Sequence, residues 1–179
     1  MSPAGFRIRT TAHEPQLAPA LAEVLIDCVE GGASVSFMWP MPQHKALQFW
    51  QGVMDSAQRG ERIVLVAEDM ATAAIVGTVQ VVFAVADNQP HRADVAKMLV
   101  VRRARGRGLG TALIQAAECA ARDAGKTLLV LDTVTDGDAE RLYARLGWQR
   151  VGVIPGYALW PNGGLCDTTY FYKTLSTGR

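Results

Sequence analysis

The feature of this sequence that most constrains its fold is a turn rich in arginine and glycine, VVRRARGRGLGTAL at residues 100–113. The apolar run before it, at 91–101, predicts a strand, and the apolar spacing after it, at 108–124, predicts a helix. A strand that enters a helix through small residues exposes backbone N–H groups at the positive end of the helix dipole. The turn therefore predicts a site for an anion such as a pyrophosphate.

Three well-known loop types fit this turn poorly. A P-loop has a lysine after its last glycine, and no lysine follows Gly106, Gly108 or Gly110. A dinucleotide fingerprint has its third glycine one residue later, where Thr111 stands. RNA-binding arginine–glycine tracts are repeated and disordered, whereas this turn occurs once between two predicted elements. A phosphate-binding turn of another kind remains, beside the alternative of a solvated basic turn with helix-stopping glycines.

The rest of the chain predicts one mixed α/β domain over residues 1–179, without repeats or linkers. Hydrophobic residues make up 49% and charged residues 20%, as in ordinary globular proteins. The predicted strands are 6–10, 62–69, 73–85, 91–101, 127–133, 148–154 and 168–175, and the predicted helices are 14–30, 43–58, 108–124 and 138–147. The second and third strands predict an antiparallel hairpin. The nearly continuous apolar run at 127–133 predicts a central strand covered on both faces.

Composition excludes several classes of partner. A net charge of +1 gives no basic field for nucleic acid or for an anionic membrane. Cys28, Cys119 and Cys166 have no CxxC spacing, and no metal site is visible, so we expect neither a disulfide framework nor bound metal. The N-terminal segment lacks the apolar core of a signal peptide, and no stretch reaches membrane-spanning length. We therefore expect a cytoplasmic protein.

The turn resembles the cofactor-binding segment of the GNAT family of N-acetyltransferases, whose signature is [RQ]xxGx[GA] between a strand and a helix. Arg105, Gly108 and Gly110 match the spaced positions of that signature. The segment AERLYARLGWQRVG at 139–152 resembles the AxxLYxxxGF segment of the family, and the predicted order β-α-α-β-β-β-α-β-α-β-β matches the family's fold. The resemblance implies a mixed, mostly antiparallel twisted sheet flanked by helices, and acetyl-CoA as cosubstrate.

The resemblance also implies which residues bind the cofactor. A β-bulge at Leu99–Val101 would free main-chain donors from the sheet. Guanidinium groups of the turn, at positions 102, 103, 105 and 107, can meet phosphate oxygens in pairs of hydrogen bonds. The implied cofactor contacts are Leu99, Val100, Val101, Arg105, Gly106, Arg107, Gly108, Leu109, Gly110 and Thr111.

Further segments resemble one branch of the family, the tabtoxin-resistance acetyltransferases. They are EGGASVSFM at 30–38, HRADVAKMLV at 91–100, ARGRGLG at 104–110, LLVLDT at 128–133 and the stretch 151–175. This resemblance implies that the acceptor is a small amino-acid-like amine, of which the β-lactam toxin tabtoxinine is one. The loop rich in glycine and serine would then lie over the acceptor, with Ser34, Phe37 and Trp39 as substrate contacts.

Acetylation of an amine by a thioester requires a base for the amine, donors for the oxyanion and an acid for the departing thiolate. Asp132 follows four apolar residues at the end of a predicted buried strand, where exclusion of water would raise its pKa. Asp94 lies on the strand before the turn. By resemblance these two are the acidic pair, and Tyr143 is the general acid. The alternatives are a helix cap for Asp132, a surface carboxylate beside Arg92 for Asp94, and a core tyrosine for Tyr143.

Direct transfer to a small-molecule amine is the leading hypothesis, because no serine or cysteine stands in a nucleophilic setting. One alternative acceptor is a protein N-terminus or a lysine side chain, and another alternative is a non-catalytic acyl-CoA sensor. A deep acceptor cleft closed by 31–42 would favour the small molecule, and an open trough would favour a peptide. The apolar C-terminal segment is compatible with a homodimer.

Overall fold

The computed structural model describes residues 3–11 and 14–176. Its strands are β1 (Phe6–Thr11), β2 (Arg62–Asp69), β3 (Ile75–Phe83), β4 (Arg92–Val100), β5 (Leu128–Val134), β6 (Gln149–Leu159) and β7 (Leu165–Thr174). Its α-helices are α1 (Ala18–Glu30), α2 (Gln43–Gln58), α3 (Leu109–Asp123) and α4 (Asp138–Arg145). Short 3-10 turns precede α1 and follow β4. None of the helices in the described residues is long and apolar enough to cross a membrane.

The strands form one seven-stranded sheet in the order β1-β2-β3-β4-β5-β7-β6. All neighbours are antiparallel except β4 and β5, which are parallel. The predicted fold class, a mixed and mostly antiparallel sheet flanked by helices, is therefore confirmed. The parallel pairing covers only Arg92–Asp94 against Leu128–Val130. Beyond Asp94 and Val130 the two strands separate, and this separation opens a cleft in the middle of the sheet.

The strand with both faces covered is β3 rather than β5. Every residue from Ile75 to Val81 is buried, and α1 and α3 both contact this strand. In β5 only Leu129 and Leu131 are buried, and Asp132 is exposed. The prediction of full cover for 127–133 is thus wrong, because β5 lies where the sheet splits and part of it borders the cleft instead of a helix.

The C-terminal hairpin is longer than the sequence predicts. Strand β6 continues to Leu159, past the predicted end at 154, with a register shift between Ile154 and Ala158. Pro155 and Gly156 lie inside this shift, where no regular ladder hydrogen bond is interrupted. The proline and glycine therefore bend the strand instead of ending it.

A buried polar cluster fixes α4 against the sheet. The indole Nε1 of Trp148 donates to Glu118 Oε1 over 2.9 Å. The Lys173 ammonium donates to both Glu118 oxygens, over 2.8 and 2.7 Å, and to the Leu146 carbonyl oxygen over 2.8 Å. The cluster joins α3, β7 and the residues that follow α4, so it holds the helix that carries the predicted acid.

Candidate active site

A cavity of about 830 Å³ lies where β4 and β5 separate. Its walls come from β4 and the turn after it, the first turn of α3, the end of β5, helix α4, and the loop that follows α1. The cavity therefore brings together the Arg/Gly turn, the predicted acid and one of the two predicted carboxylates.

The first turn of α3 forms one end of this cavity, with Gly108, Leu109, Gly110 and Thr111 in its wall. No side chain caps the helix and no acidic residue stands in its first turn, so its backbone N–H groups keep their capacity for an anion. Gly106 (φ +73°) and Gly108 (φ +80°) adopt the left-handed conformation that favours glycine. A Cβ on Gly110 would lie 3.2 Å from Leu142 Cδ2, so this glycine lets α4 approach α3 closely. These residues fit a pyrophosphate.

Two of the four arginines of the turn face α1 instead of the cavity. The Arg102 Nε donates to Asp27 Oδ1 over 2.9 Å, and its Nη2 pairs with Glu30. Arg103 borders a separate small cavity beside Glu23 and Asp27. The expectation that these two guanidinium groups meet phosphates is therefore wrong, because Arg102 pairs with α1 and neither residue lies in the wall of the main cavity.

The other two arginines differ from each other. Arg105 lines the main cavity, and its Nε donates to the Val100 carbonyl oxygen over 3.0 Å. The Arg107 guanidinium lies 4.2 Å from the centre of the Phe6 ring, in a cation–π contact, and is not in the cavity wall. Of these two arginines, which were both expected to bind the cofactor, Arg105 lies at the cavity, whereas the Arg107 side chain packs on Phe6 of β1.

The β-bulge of β4 lies earlier in the strand than predicted. Thr78 of β3 faces Leu99, whereas Gln80 faces Ala96, so β4 carries one extra residue between these two partners. Within this segment Lys97 has a φ of +50°. The bulge predicted at 99–101 is therefore wrong in position, since the extra residue lies at 97–98.

The main-chain donors that follow the bulge are also more restricted than predicted. The Val101 N–H donates to the Val76 carbonyl oxygen over 3.0 Å, and Val101 is not in the cavity wall. N–H groups alternate in direction along a strand, so the Leu99 N–H also points towards β3 and the Val100 N–H points into the cleft. Of the three predicted backbone donors, Val100 is the one placed to meet a ligand.

The two predicted carboxylates lie on one face of the sheet. Asp94 is opposite Val130, and Asp132 follows Val130 by two residues, so both side chains point the same way. This face also carries α2, because Arg62, on the same face two strands away, donates to Ser56 of α2. Asp132 lines the cavity and Asp94 does not.

The environments of the two carboxylates differ in their charged neighbours. Asp132 borders the open cleft, but the walls around it remove part of the water from its carboxyl, and this desolvation raises its pKa above the ordinary value. The Lys97 charge partly offsets that rise. Burial likewise raises the pKa of Asp94, opposed by Arg92, whose Nη1 lies 3.2 Å from Asp94 Oδ1. The alternative of a surface pair with Arg92 thus describes a real contact of Asp94. The helix-cap alternative for Asp132 is wrong, because position 137, a glycine, is the N-cap of α4.

Tyr143 combines a packed ring with an accessible hydroxyl. Only 5% of the residue is exposed, and its ring packs between Trp148 and Phe171 at centroid distances of 5.8 and 6.1 Å. The hydroxyl lines the cavity and makes no hydrogen bond with another described residue. Burial, and to a smaller degree the charge of Asp132, raises the pKa of Tyr143, so the phenol holds its proton at neutral pH.

The loop 31–42 is tied to the β6–β7 hairpin. Ser34 Oγ donates to the Leu159 carbonyl oxygen over 2.9 Å, and the Trp39 N–H donates to the Pro161 carbonyl oxygen over 2.9 Å. Ser34, one of the three residues predicted as substrate contacts, lines the cavity. Phe37 packs on Phe49 of α2 instead, with ring centres 5.1 Å apart, and neither Phe37 nor Trp39 is in the wall.

Ser36, Lys97 and Tyr157 are among the residues of the cavity wall that sequence reasoning missed. Lys97 is the only charged residue in the run VAKMLVV, and this was an available signal. Tyr157 accepts a hydrogen bond of 2.8 Å from the hydroxyl of Tyr170, which lies opposite Asp132 in the sheet. The contact between Tyr157 and Tyr170 could not be foreseen from the sequence, because it depends on the continuation of β6 past Pro155.

The model of the GNAT acetyltransferase domain family matches residues 60–150, just over half of the chain. The chain belongs to the GNAT acetyltransferase family. This GNAT domain is therefore an N-acetyltransferase, with acetyl-CoA as its cosubstrate.

Solved structures of similar fold cover almost the whole GNAT chain. A proposed acetyltransferase from Salmonella typhimurium, solved with its cofactor acetyl-CoA, is 20% identical over 97% of this chain and 96% of its own, with a TM-score of 0.76. A ribosomal-protein-S5-alanine acetyltransferase from Vibrio fischeri is 12% identical over 100% and 98%, with a TM-score of 0.82. A proposed phosphinothricin N-acetyltransferase is 20% identical over 96% and 99%, with a TM-score of 0.78. At these identities the likeness is one of fold.

Proposed function

We propose that this single GNAT domain, residues 1–179, transfers the acetyl group of acetyl-CoA directly to the amine of a small molecule. The observation that carries this proposal is the tie between loop 31–42 and the β6–β7 hairpin through Ser34 and Trp39. Both acceptors are backbone carbonyls of one hairpin, so the loop is held against that hairpin, and Ser34 and Ser36 of the loop line the cavity. A loop fixed at the cavity leaves room for a compact amine more readily than for a peptide chain.

The residues of the cavity divide the chemistry among them. Acetyl-CoA supplies an activated acetyl thioester. The N-terminus of α3 and Arg105 bind the pyrophosphate, and the Val100 N–H donates to the carbonyl oxygen as negative charge develops there. Asp132 accepts the proton of the acceptor ammonium, directly or through water, and Asp94 adds negative charge on the same face. Tyr143 holds a proton on its hydroxyl for the departing thiolate.

The acceptor proposed is an amino-acid-like amine of the size of tabtoxinine, in keeping with the resemblance to the tabtoxin-resistance branch. Among the similar folds, one is named for phosphinothricin, a small molecule, and another for a ribosomal protein. These two names belong to different acceptor classes, and the loop held against the hairpin at the cavity is what favours the first class here.

The proposed function is tested by CoA release from acetyl-CoA against a panel of small amines, including β-lactam amino acids, and against peptides with free N-termini. We expect turnover of a small amine, reduced in Tyr143→Phe and Asp132→Asn. Tyr172→Phe and Asp87→Asn, which lie outside the cavity wall, are the matched controls and should behave as the wild type. Turnover of peptides alone would contradict the small-molecule acceptor. Tight acetyl-CoA binding without any turnover would indicate an acyl-CoA sensor.

We also propose that the protein forms a homodimer through β6. Val151, Ile154 and Leu159 of this edge strand are 67, 44 and 46% exposed, and Leu165 at the start of β7 is 70% exposed. An edge strand with so many exposed apolar side chains is a ready surface for a second copy.

A further inference from the structure

We propose that Lys97 and Ser36 form a subsite for a carboxylate of the acceptor, so that the substrate carries both an amine and an anion. This inference rests on the proposed function and narrows its substrate class. It concerns the acceptor half of the cavity, which the family signature does not describe.

The first support is the backbone at this pair of residues. Lys97 Nζ donates to Ser36 Oγ over 3.1 Å, and the two residues have φ values of +50° and +77°. Both are non-glycine residues in the left-handed region, which side chains with a Cβ rarely adopt. Backbone of this kind persists where the surrounding structure imposes it, and it is concentrated at ligand sites.

The second support is the charge of Lys97. The ammonium is partly buried, and burial lowers its pKa, while Asp132 favours its charged form. Yet among residues 3–11 and 14–176 no carboxylate lies within the 4.0 Å of an ion pair with it. Its neighbours are the Ser36 hydroxyl and the ring of Phe49, whose centre is 6.0 Å away. An ammonium has three donors, so Lys97 retains capacity for an anionic ligand.

The third support is the place of Lys97 relative to the rest of the cavity. The contact with Phe49 of α2 puts this side chain on the face of the sheet that carries Asp94 and Asp132. The pyrophosphate end lies beyond Val100, at α3, where the helix N-terminus and Arg105 already supply positive charge. Lys97 is therefore a cation on the acceptor side.

The acceptor half of the cavity therefore holds one negative charge, on Asp132, and one positive charge, on Lys97. Asp132 attracts an ammonium next to Tyr143, and Lys97 attracts a carboxylate at the loop 31–42. A zwitterionic amino acid satisfies both ends at once. A simple amine leaves Lys97 without an ion pair, and an amine with a second positive charge is repelled by it.

The test compares amino acids with their own carboxamides, which keep the amine and the size but lose the negative charge. The pairs are those of glycine, β-alanine, γ-aminobutyrate, 2,4-diaminobutyrate and lysine, and the variants are Lys97→Met, Lys97→Arg and Lys126→Met. Lys126 is the matched control. Like Lys97 it donates to one oxygen atom, the carbonyl of Pro90, and lies over one aromatic ring, that of Phe83, but it is outside the cavity wall. The readouts are kcat/KM for each compound and its affinity for the complex of the enzyme with CoA, measured by calorimetry.

We expect the wild type and Lys126→Met to prefer the amino acid of at least one pair by about tenfold or more, the scale of one charge-assisted contact. At a pH on the plateau above the acidic limb of Asp132, Lys97→Met should lose this preference with little change for the carboxamide, and Lys97→Arg should retain part of it. Equal binding of both members by the wild type, binding of neither, or an equal loss for both members in Lys97→Met would overturn the subsite. Binding with the expected preference but without turnover would support the subsite and count against the proposed function.

Discussion

Lys97 of the β4 bulge and Ser36 of the loop after α1 are joined by a hydrogen bond of 3.1 Å between Nζ and Oγ. This bond connects strand β4 at the cleft in the sheet with the loop after α1, and both residues line the cavity. The same loop is held at its other side by Ser34, which donates to the Leu159 carbonyl oxygen. The loop after α1 is thus attached both to β4 and to the C-terminal hairpin.

The electrostatic link between Lys97 and Asp132 predicts a shift in the pH dependence of the reaction. Asp132 must be ionised to accept a proton, so kcat/KM rises with pH through its pKa, which burial places above the ordinary aspartate value. The Lys97 charge lowers that pKa, and its removal in Lys97→Met therefore moves the acidic limb to higher pH. The measurement is a pH profile of kcat/KM with one fixed acceptor, whose own ionisation is common to all variants. A limb that stays in place, or moves to lower pH, would contradict this assignment, and Lys126→Met should not move it.

The accessible hydroxyl of Tyr143 predicts a loss of rate without a loss of stability. Tyr143→Phe keeps the ring contacts with Trp148 and Phe171 and removes a hydroxyl that has no hydrogen bond with another described residue. We expect kcat to fall by about 10²-fold, as for removal of a general acid, with the thermal midpoint nearly unchanged. Steady-state kinetics and a thermal melt check both parts. An unchanged kcat would show that the thiolate takes its proton from another source.

Two glycines in different backbone conformations predict stability changes of opposite sign. Gly108 has a φ of +80°, and a Cβ there would meet no atom closer than Pro3 Cγ at 3.7 Å, so Gly108→Ala costs about 1–2 kcal/mol through the backbone alone. Gly52 lies inside α2 with ordinary helical geometry and open space around it. Gly52→Ala should therefore stabilise the protein by about 0.5–1 kcal/mol. Urea unfolding of both variants measures the two changes in the free energy of unfolding. Equal effects on both would mean that the left-handed turn is not retained in solution.

The apolar edge of β6 predicts a dimer that a single charge disrupts. We expect light scattering after gel filtration to give twice the mass of the chain for the wild type. Val151→Lys places a charge in the exposed apolar strip and should give the monomer with unchanged acetyl-CoA binding, since Val151 lies outside the cavity wall. A monomeric wild type at micromolar concentration would contradict the proposed dimer.

Much of the fold was predictable because its signals are local. The ends of α2 agree with the prediction to the residue, and the prediction for α3 differs by one residue at each end. Hydrophobic spacing and glycine placement depend on neighbours within a few residues, which the sequence displays directly. The Arg/Gly turn belongs to the same class, because the positive φ of Gly106 and Gly108 and the uncapped start of α3 are properties of one short segment.

The sequence by itself therefore determined the order of the elements, the family and the backbone of the Arg/Gly turn. The tertiary structure decided which side chains of that turn reach the cavity, since Arg102 pairs with Asp27 of α1 and Arg107 lies on Phe6 of β1. It also decided the place of the bulge at Lys97 and the tie between Ser34 and Leu159, two residues far apart in the chain. These contacts depend on how separate elements pack, and no periodicity within one segment encodes a partner in another.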